Sequence, residues 1–300
     1  MSVQVCGESA PAVVKVLACV QAMSRDTRTI FFTVLALLGF ASNSLLCRRA
    51  LGLALVDPAS FTSVRLLSGA AALALIVALR GTPRPGGGSW LSALALFVYA
   101  AAFSASYVRI GASVGALLLF GTVQATMLAW GLVRGERPRP IQWLGIGLAL
   151  GGLALLSLRG AHSTDSWGAL LMVAAGIAWG AYSLRGRGAK DPLATTAANF
   201  LRTLPMFAAL SLLSISSIHL SAAGIGLAVT SGALSSGVGY SFWYAALPSL
   251  TATRAAAVQL SVPVLAAVGA ILILGETLTP RLVTAGLAIL VGVWLAIQRR

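Results

Sequence analysis

Acidic residues are scarce in this sequence. The 300-residue chain has seven, Glu8, Asp26, Asp57, Glu136, Asp165, Asp191 and Glu276, and each falls in a connection or at the end of an apolar segment. Charged residues of both signs make up only 9%, against roughly 25% in a soluble domain. So little charge cannot wet a surface of this size, which excludes an ordinary soluble domain and requires lipid over much of the exterior. Cysteine is also sparse: Cys6, Cys19 and Cys47 have no CxxC spacing and form no even set for a disulfide framework. The two histidines, His162 and His219, lie in predicted loops. We therefore expect no metal site and no cofactor.

Long apolar runs are what the sequence has instead. Apolar residues make up 58%, and mean hydropathy is +0.91. A membrane-spanning helix needs about 20 mostly apolar residues. Ten candidates stand out, at 29–47, 58–79, 89–108, 112–133, 141–158, 166–184, 193–215, 222–247, 252–274 and 282–298. Breakers fill the connections: Asp57-Pro58, Pro83–Gly88, Arg137–Pro140, Asp191-Pro192, Pro248 and Pro280. All the connections are short, so no soluble domain is inserted. The fold expected is an all-α membrane protein of ten spans. Residues 1–28 read as an N-terminal tail. Its apolar run Ala10–Ala22 is interrupted by Lys15, is too short to span and lacks a basic leader, so a cleaved signal is not expected. Met23 is an alternative start.

The net charge of +14 could suggest a nucleic-acid partner, but the Lys and Arg residues sit in short clusters between apolar runs. That is a membrane-loop pattern. Of the 21, fourteen lie on the side of the N-terminus: Lys15, Arg25, Arg28, Arg80, Arg84, Arg134, Arg137, Arg139, Arg185, Arg187, Lys190, Arg254, Arg299 and Arg300. Five lie on the other side, at Arg48, Arg49, Arg109, Arg159 and Arg281, and two, Arg65 and Arg202, fall inside spans. The positive-inside rule then puts both termini in the cytoplasm.

The two halves are alike. An offset of 137 residues aligns Gly39 with Gly176, Arg48 with Arg185 and Arg65 with Arg202. An offset of 140 aligns Ala105 with Ala245, Ala112 with Ala252, Gly135-Glu136 with Gly275-Glu276 and Pro140 with Pro280. The repeats expected are 29–158 and 166–298, of five spans each. Five is odd, so the second enters the membrane from the opposite side. Inverted repeats of this kind are built into alternating-access carriers.

Ten spans in two such halves resemble the drug/metabolite transporter superfamily, EamA type. The resemblance is carried by Trp179-Gly180-Ala181-Tyr182 in span 6 and by the arginines early in spans 2 and 7. It is also carried by Pro263, Gly275-Glu276-Thr277-Leu278-Thr279, Gly286 and Gly292 in the span 9–10 unit and by the matching span 4–5 unit. Two places depart from the pattern. Val123 stands where a proline like Pro263 is expected, and Phe40-Ala41-Ser42-Asn43 stands where a Trp-Gly pair is usual. Within the superfamily the chain looks most like the amino-acid exporters. The resemblance implies that spans 1, 3, 4, 6, 8 and 9 line a central cavity while 5 and 10 are peripheral.

Depth sorts the aromatics. Trp90, Trp130, Trp143, Trp167 and Trp294 fall near segment ends, as interfacial anchors do. Trp179, Trp243, Tyr99, Tyr182, Tyr240 and Tyr244 lie within spans, where a phenol or indole N–H needs a partner. A cavity holding a polar solute supplies one, and so does helix–helix packing. The amides Asn43, Gln124, Asn199 and Gln259 face the same two alternatives. The substrate-binding set expected is Asn43, Tyr99, Gln124, Trp179, Tyr182, Tyr240, Trp243 and Gln259. Trp179 should face Ser42, its mate under the 137 offset, beside Asn43.

A structural or gating set is also expected. Arg65 and Arg202 sit about 10 Å deep by the helical rise. A charge at that depth marks function by default, but binding to backbone carbonyls or helix ends of the other repeat is the favoured reading. Glu136 and Glu276 precede helices and read as caps. Pro205 and Pro263 free the carbonyls of Leu201 and Gln259.

The expected activity is export of small metabolites, with amino acids, including aromatic and other neutral ones, as the leading class. Proton-coupled carriers usually keep a carboxylate inside the membrane, and none is here, so a facilitator is expected. Drug or other-metabolite export is the nearest rival. An intramembrane enzyme is disfavoured: Gly111-Ala112-Ser113-Val114-Gly115 matches a nucleophile elbow but opens a membrane helix with no histidine in any span. The inverted repeat argues against a purely structural subunit. The partners expected are a small-molecule substrate and the lipid bilayer, with no nucleic acid, and a monomer is consistent with the pattern.

Overall fold

The computed structural model describes residues 23–79, 87–110, 112–157, 165–274 and 278–298. Those residues form ten helical units: α1 (Arg25–Gly52), α2 (Pro58–Leu79), α3 (Trp90–Tyr107), α4 (Ala112–Val133), α5 (Pro140–Ser157) and α6 (Ser166–Gly186) continue into α7 to α10. Three of the last four are interrupted. Unit α7 comprises Pro192–Arg202 and Leu204–Leu213, and α9 comprises Ala252–Gln259 and Val262–Leu274. Unit α8 runs from Ala222 to Ser249 through a π-helical stretch, Ser231–Val238, and α10 is Pro280–Ile297. Among the described residues nine helices are long and apolar enough to cross a bilayer. The apolar part of α5, Pro140–Leu155, is slightly shorter but pairs with α10.

Four of the sequence breakers became helix starts. Prolines open α2, α5, α7 and α10, where the missing N–H costs nothing. Side chains of Ser24, Ser89, Asp165, Asp191, Ser221, Thr251 and Thr279 accept from first-turn N–H groups of α1, α3, α6, α7, α8, α9 and α10. Each supplies an acceptor to donors that have none within the helix.

The packing has two-fold character. Helix α6 lies on α3 and α4, while α1 lies on α8 and α9, so the first helix of each repeat inserts against the other repeat. Helices α2 and α7, α4 and α9, and α5 and α10 pair across the axis. The α5–α10 pair approaches closely: a Cβ added to Gly145 would sit 2.5 Å from the Gly292 carbonyl oxygen, and one on Gly292 would sit 2.5 Å from that of Gly145. Small residues permit such backbone contact between membrane helices.

The connections gather at two ends. At one, the Asp57 carboxylate accepts from Ser60 N–H (2.9 Å) and His219 N–H (2.9 Å), linking the α1–α2 and α7–α8 connections. Arg109 bridges Asp165 at 3.0 Å at the same end, and that hydrogen bond holds the Asp165 carboxyl below its usual range. At the other end, Glu136 meets the start of α9, and Gln142 Nε2 donates to the Ala296 carbonyl at the end of α10. The tail 1–22, Glu276 and the 158–164 connection lie outside the described residues.

Candidate functional site

Four rings meet at the centre of the bundle. The Trp179 indole lies 5.1 Å from the Phe40 ring in an edge-on arrangement, 4.9 Å from Tyr99 and 4.7 Å from Tyr240. They come from α6, α1, α3 and α8. Offset and edge-to-face contacts of this kind are favourable beyond the area they bury. The rings border a cavity of about 20 Å³. It is lined by Phe40, Asn43 and Ser44 from α1, Tyr99 and Phe103 from α3, and Leu119 and Phe120 from α4. Trp179, Tyr240, Gln259 and Val262 complete it from α6, α8 and α9. These are the six helices implied by the resemblance. A space this small holds about one water, so any organic solute requires the helices to part.

Much of the polarity at this cavity is already engaged. The Trp179 indole N–H donates to Gln259 Oε1 at 2.6 Å, and Gln259 Nε2 donates to the Ala255 carbonyl at 3.2 Å and faces Met127 Sδ at 3.3 Å. Asn43 Oδ1 accepts from Ser231 Oγ at 2.6 Å. The break in α9 explains the placing of Gln259. Pro263 cannot donate to the Gln259 carbonyl, the helix ends at Gln259 and resumes at Val262, and both residues border the cavity.

Asn43, Tyr99, Trp179, Tyr240 and Gln259, all expected from sequence, are thus brought together. The other three expected residues are buried but do not border the cavity. Trp243 donates its indole N–H to Ser183 Oγ at 3.0 Å, joining α8 to α6. Tyr182 offers its carbonyl to the Tyr244 hydroxyl at 3.1 Å. Gln124 is buried on α4, and neither of its amide atoms has a hydrogen-bond partner. Ser42 is exposed, and Phe40 takes the place against Trp179 that the repeat offset assigned to it. Two residues turn a helix by about 200°, so a small error in repeat register moves a side chain to the opposite face. Phe40, Phe103 and Phe120 were missed because an apolar ring in an apolar span carries no signal of its own.

The paired arginines differ. Arg65 is 1% exposed. Its Nε donates to Ser236 Oγ at 2.8 Å, and its Nη2 donates to the Tyr240 hydroxyl at 2.6 Å. Arg202 is only partly buried and donates to the Ala198 carbonyl of its own helix at 3.1 Å. Asn199 Oδ1 accepts from Ser89 N–H at 3.0 Å, tying α7 to the start of α3.

Glu136 is a cap, but not for α5, the helix that follows it. It accepts from the N–H groups of Ala252 and Thr253 at 2.7 and 3.0 Å, and from Thr253 Oγ1 at 2.9 Å, at the start of α9. Burial pushes its carboxyl up. These bonds, with Arg187 3.6 Å away, outweigh burial and hold it below its usual range. A larger open cup of about 430 Å³ lies here, lined by Glu136, Arg137, Arg139 and Arg254 among others. It sits at the bundle end, away from the rings. Among the described residues His, Cys, Asp and Glu nowhere gather in threes, so they offer a metal no donor set.

The EamA-like transporter family model matches the chain twice, over residues 27–158 and 166–298. The chain belongs to the EamA-like transporter family. An uncharacterized protein of Pseudomonas aeruginosa is 56% identical over 277 residues, covering 92% of this chain and 96% of its own length. An uncharacterized transporter of Bacillus subtilis is 27% identical over 233 residues, covering 74% and 78%. A crystal structure at 20% identity superposes with a TM-score of 0.74 over 91% of this chain and 98% of the other, which shows the shared fold. This EamA-like protein is therefore a multi-pass membrane protein with a two-repeat helical architecture. Its family is one of transporters.

Proposed function

We propose that this EamA-like transporter exports small metabolites by alternating access through the central cavity, with amino acids, including aromatic and other neutral ones, as the leading class. The observation that carries the proposal is the aromatic box at the junction of the two repeats, formed by Phe40, Tyr99, Trp179 and Tyr240. Carriers with inverted repeats bind substrate near that junction. Rings from both repeats border a space too small for a solute, so the helices must part to admit one. The box offers an apolar face to a side chain, and its rim carries a few hydroxyl and amide groups. Because so much of that polarity is engaged, export of more hydrophobic, drug-like solutes is the second reading.

The carrier acts as a facilitator, because no span contains an acid that could relay protons. A helical rather than barrel architecture suits the inner membrane, and the charge count supports cytoplasmic termini. The cavity residues Asn43, Tyr99, Trp179, Tyr240 and Gln259 contact the solute, while Gln124, Tyr182 and Trp243 support them. Pro205 and Pro263 supply the bending points.

A metabolite-panel flux assay in protein-only liposomes tests this reading. Saturable flux of amino acids, unchanged when a pH gradient is collapsed, is expected. Absence of flux for every solute would overturn the carrier reading, and strict dependence on a proton gradient would overturn the facilitator.

A further inference from the structure

Arg65 is a buried cation with no acidic partner among the described residues. Asp26 is exposed in the first turn of α1, Asp57 binds backbone N–H groups at a bundle end, Glu136 binds the start of α9, Asp165 pairs with Arg109, and Asp191 accepts from Ala194 N–H. Guanidinium groups stay protonated in proteins, and a buried charge without a counter-charge is costly. Two of its nitrogens are held by neutral hydroxyls, and the third, Nη1, is buried with no hydrogen-bond partner.

The neighbours of Arg65 are walls of the central cavity. Its guanidinium carbon lies 5.5 Å from the centre of the Tyr99 ring, and the Tyr240 hydroxyl accepts from Nη2. Tyr240 therefore keeps its own proton to donate, and the charge behind it strengthens that donor. Another donor at the cavity, the Trp179 N–H, is engaged by Gln259. An aromatic box alone would suit a quaternary ammonium through cation–π attraction. A fixed cation against two of its rings reverses that preference.

We propose that Arg65, acting with Tyr240, is the anion-recognising end of the cavity. The carried class is then organic acids, with a carboxylate or equivalent anion on an apolar body. Amino acids belong to it through their carboxylate, whereas amines and neutral amides do not. This rests on the reading of the cavity as the substrate site. It also separates Arg65 from Arg202, whose charge has a local carbonyl partner.

The test uses the purified full-length protein with three probes of one shape: 3-phenylpropionate, 3-phenylpropionamide and 2-phenylethylamine. Binding is read by thermal stabilisation and transport by liposome flux. The acid should be preferred at least about tenfold over the amide and the amine, as expected for one lost buried polar contact. Arg65→Gln and Tyr240→Phe should abolish the difference between acid and amide, and Arg65→Lys should restore part of it. A structural role alone would lower stability without changing that ratio. Equal response to acid and amide, preference for the amine, no response to the acid, or full selectivity in Arg65→Gln would each overturn the proposal. If Trp179→Ala alters flux while acid and amide flow equally, the cavity stands and only the anion assignment fails. If flux of all probes ignores Trp179→Ala, the cavity reading itself has failed.

Discussion

The two repeats share a plan but not a texture. In the first repeat α2, α3 and α4 run unbroken, whereas α7, α8 and α9 of the second are interrupted at Thr203, by the π-helical stretch and at Leu260–Ser261. Sequence accounts for two of these differences: Pro205 and Pro263 have no proline partners in the first half, and Val123 stands in α4 where the second repeat has Pro263. The arginines diverge in the same sense. Arg65, on a continuous helix, is sealed against the π-helical stretch through Ser236. Arg202, at the break in α7, reaches its own helix. The comparison suggests a division of labour in which the first repeat is a stiff frame and the second supplies the bends. π-Helical stretches occur often at functional sites, and this one touches the cavity region through Ser231 and Asn43.

The largest expected effect lies where the repeats meet. Trp179→Ala removes an indole packed between rings of both repeats. Truncating a buried Trp to Ala costs about 3–5 kcal/mol, so transport should fail and stability in detergent should drop. Trp143→Ala, at an exposed site, should change neither by much. Normal flux in Trp179→Ala would show that the junction is not the path. The next effect addresses the frame directly. Val123→Pro in α4 should cost about 3 kcal/mol or more, whereas Pro263→Ala in α9 should fold, keep or gain stability, and slow transport by stiffening a bend. If Val123→Pro is as well tolerated as the native proline in α9, as read from melting and flux, the frame-and-bend distinction is wrong.

A smaller effect is expected at Glu136, the clamp from the first repeat onto α9. Loss of a cap costs about 1 kcal/mol, so Glu136→Gln should melt slightly lower at neutral pH. The sign follows from the lowered carboxyl. The stabilisation is fully present above the ordinary Glu value of about 4.3. It disappears as pH falls through the lower native value. Wild type and Glu136→Gln should therefore converge on acidification, and a gap that widens towards acid would refute the clamp. The smallest effect is expected for Arg202→Gln, within about 0.5 kcal/mol and with little change in flux, because its partner is a local carbonyl near the bundle end.

Architecture was legible in the sequence because lipid imposes it. Ten apolar runs and the prolines that open four of the helices each mark a physical requirement, and the helices formed where those signals lay. The cavity was legible only where polarity stood out. Asn43, Gln259, Tyr99, Trp179 and Tyr240 were visible as polar or amphipathic groups in apolar spans, but Phe40 and Phe103 were not. Burial alone did not separate cavity lining from packing, so Trp243 and Tyr182, which do not border the cavity, were grouped with residues that do. Repeat symmetry brought spans 1 and 6 together at the cavity but did not give the rotation about each helix, which is why Ser42 was set against Trp179. The π-helical stretch had no sequence mark beyond a run of Ser and Gly. The capping of α9 by Glu136 depends on contacts between repeats that the local sequence does not encode.

The central claim is that solute passes between the repeats through the aromatic cavity, which opens to each side in turn. Ser44→Cys, in a protein with its native cysteines replaced, tests this through a membrane-impermeant thiol reagent applied to either side of liposomes. The account predicts labelling from both sides, block of flux by the label and protection by transported solute. Normal flux with Ser44→Cys unreactive from both sides, or labelling that leaves flux intact, would contradict it.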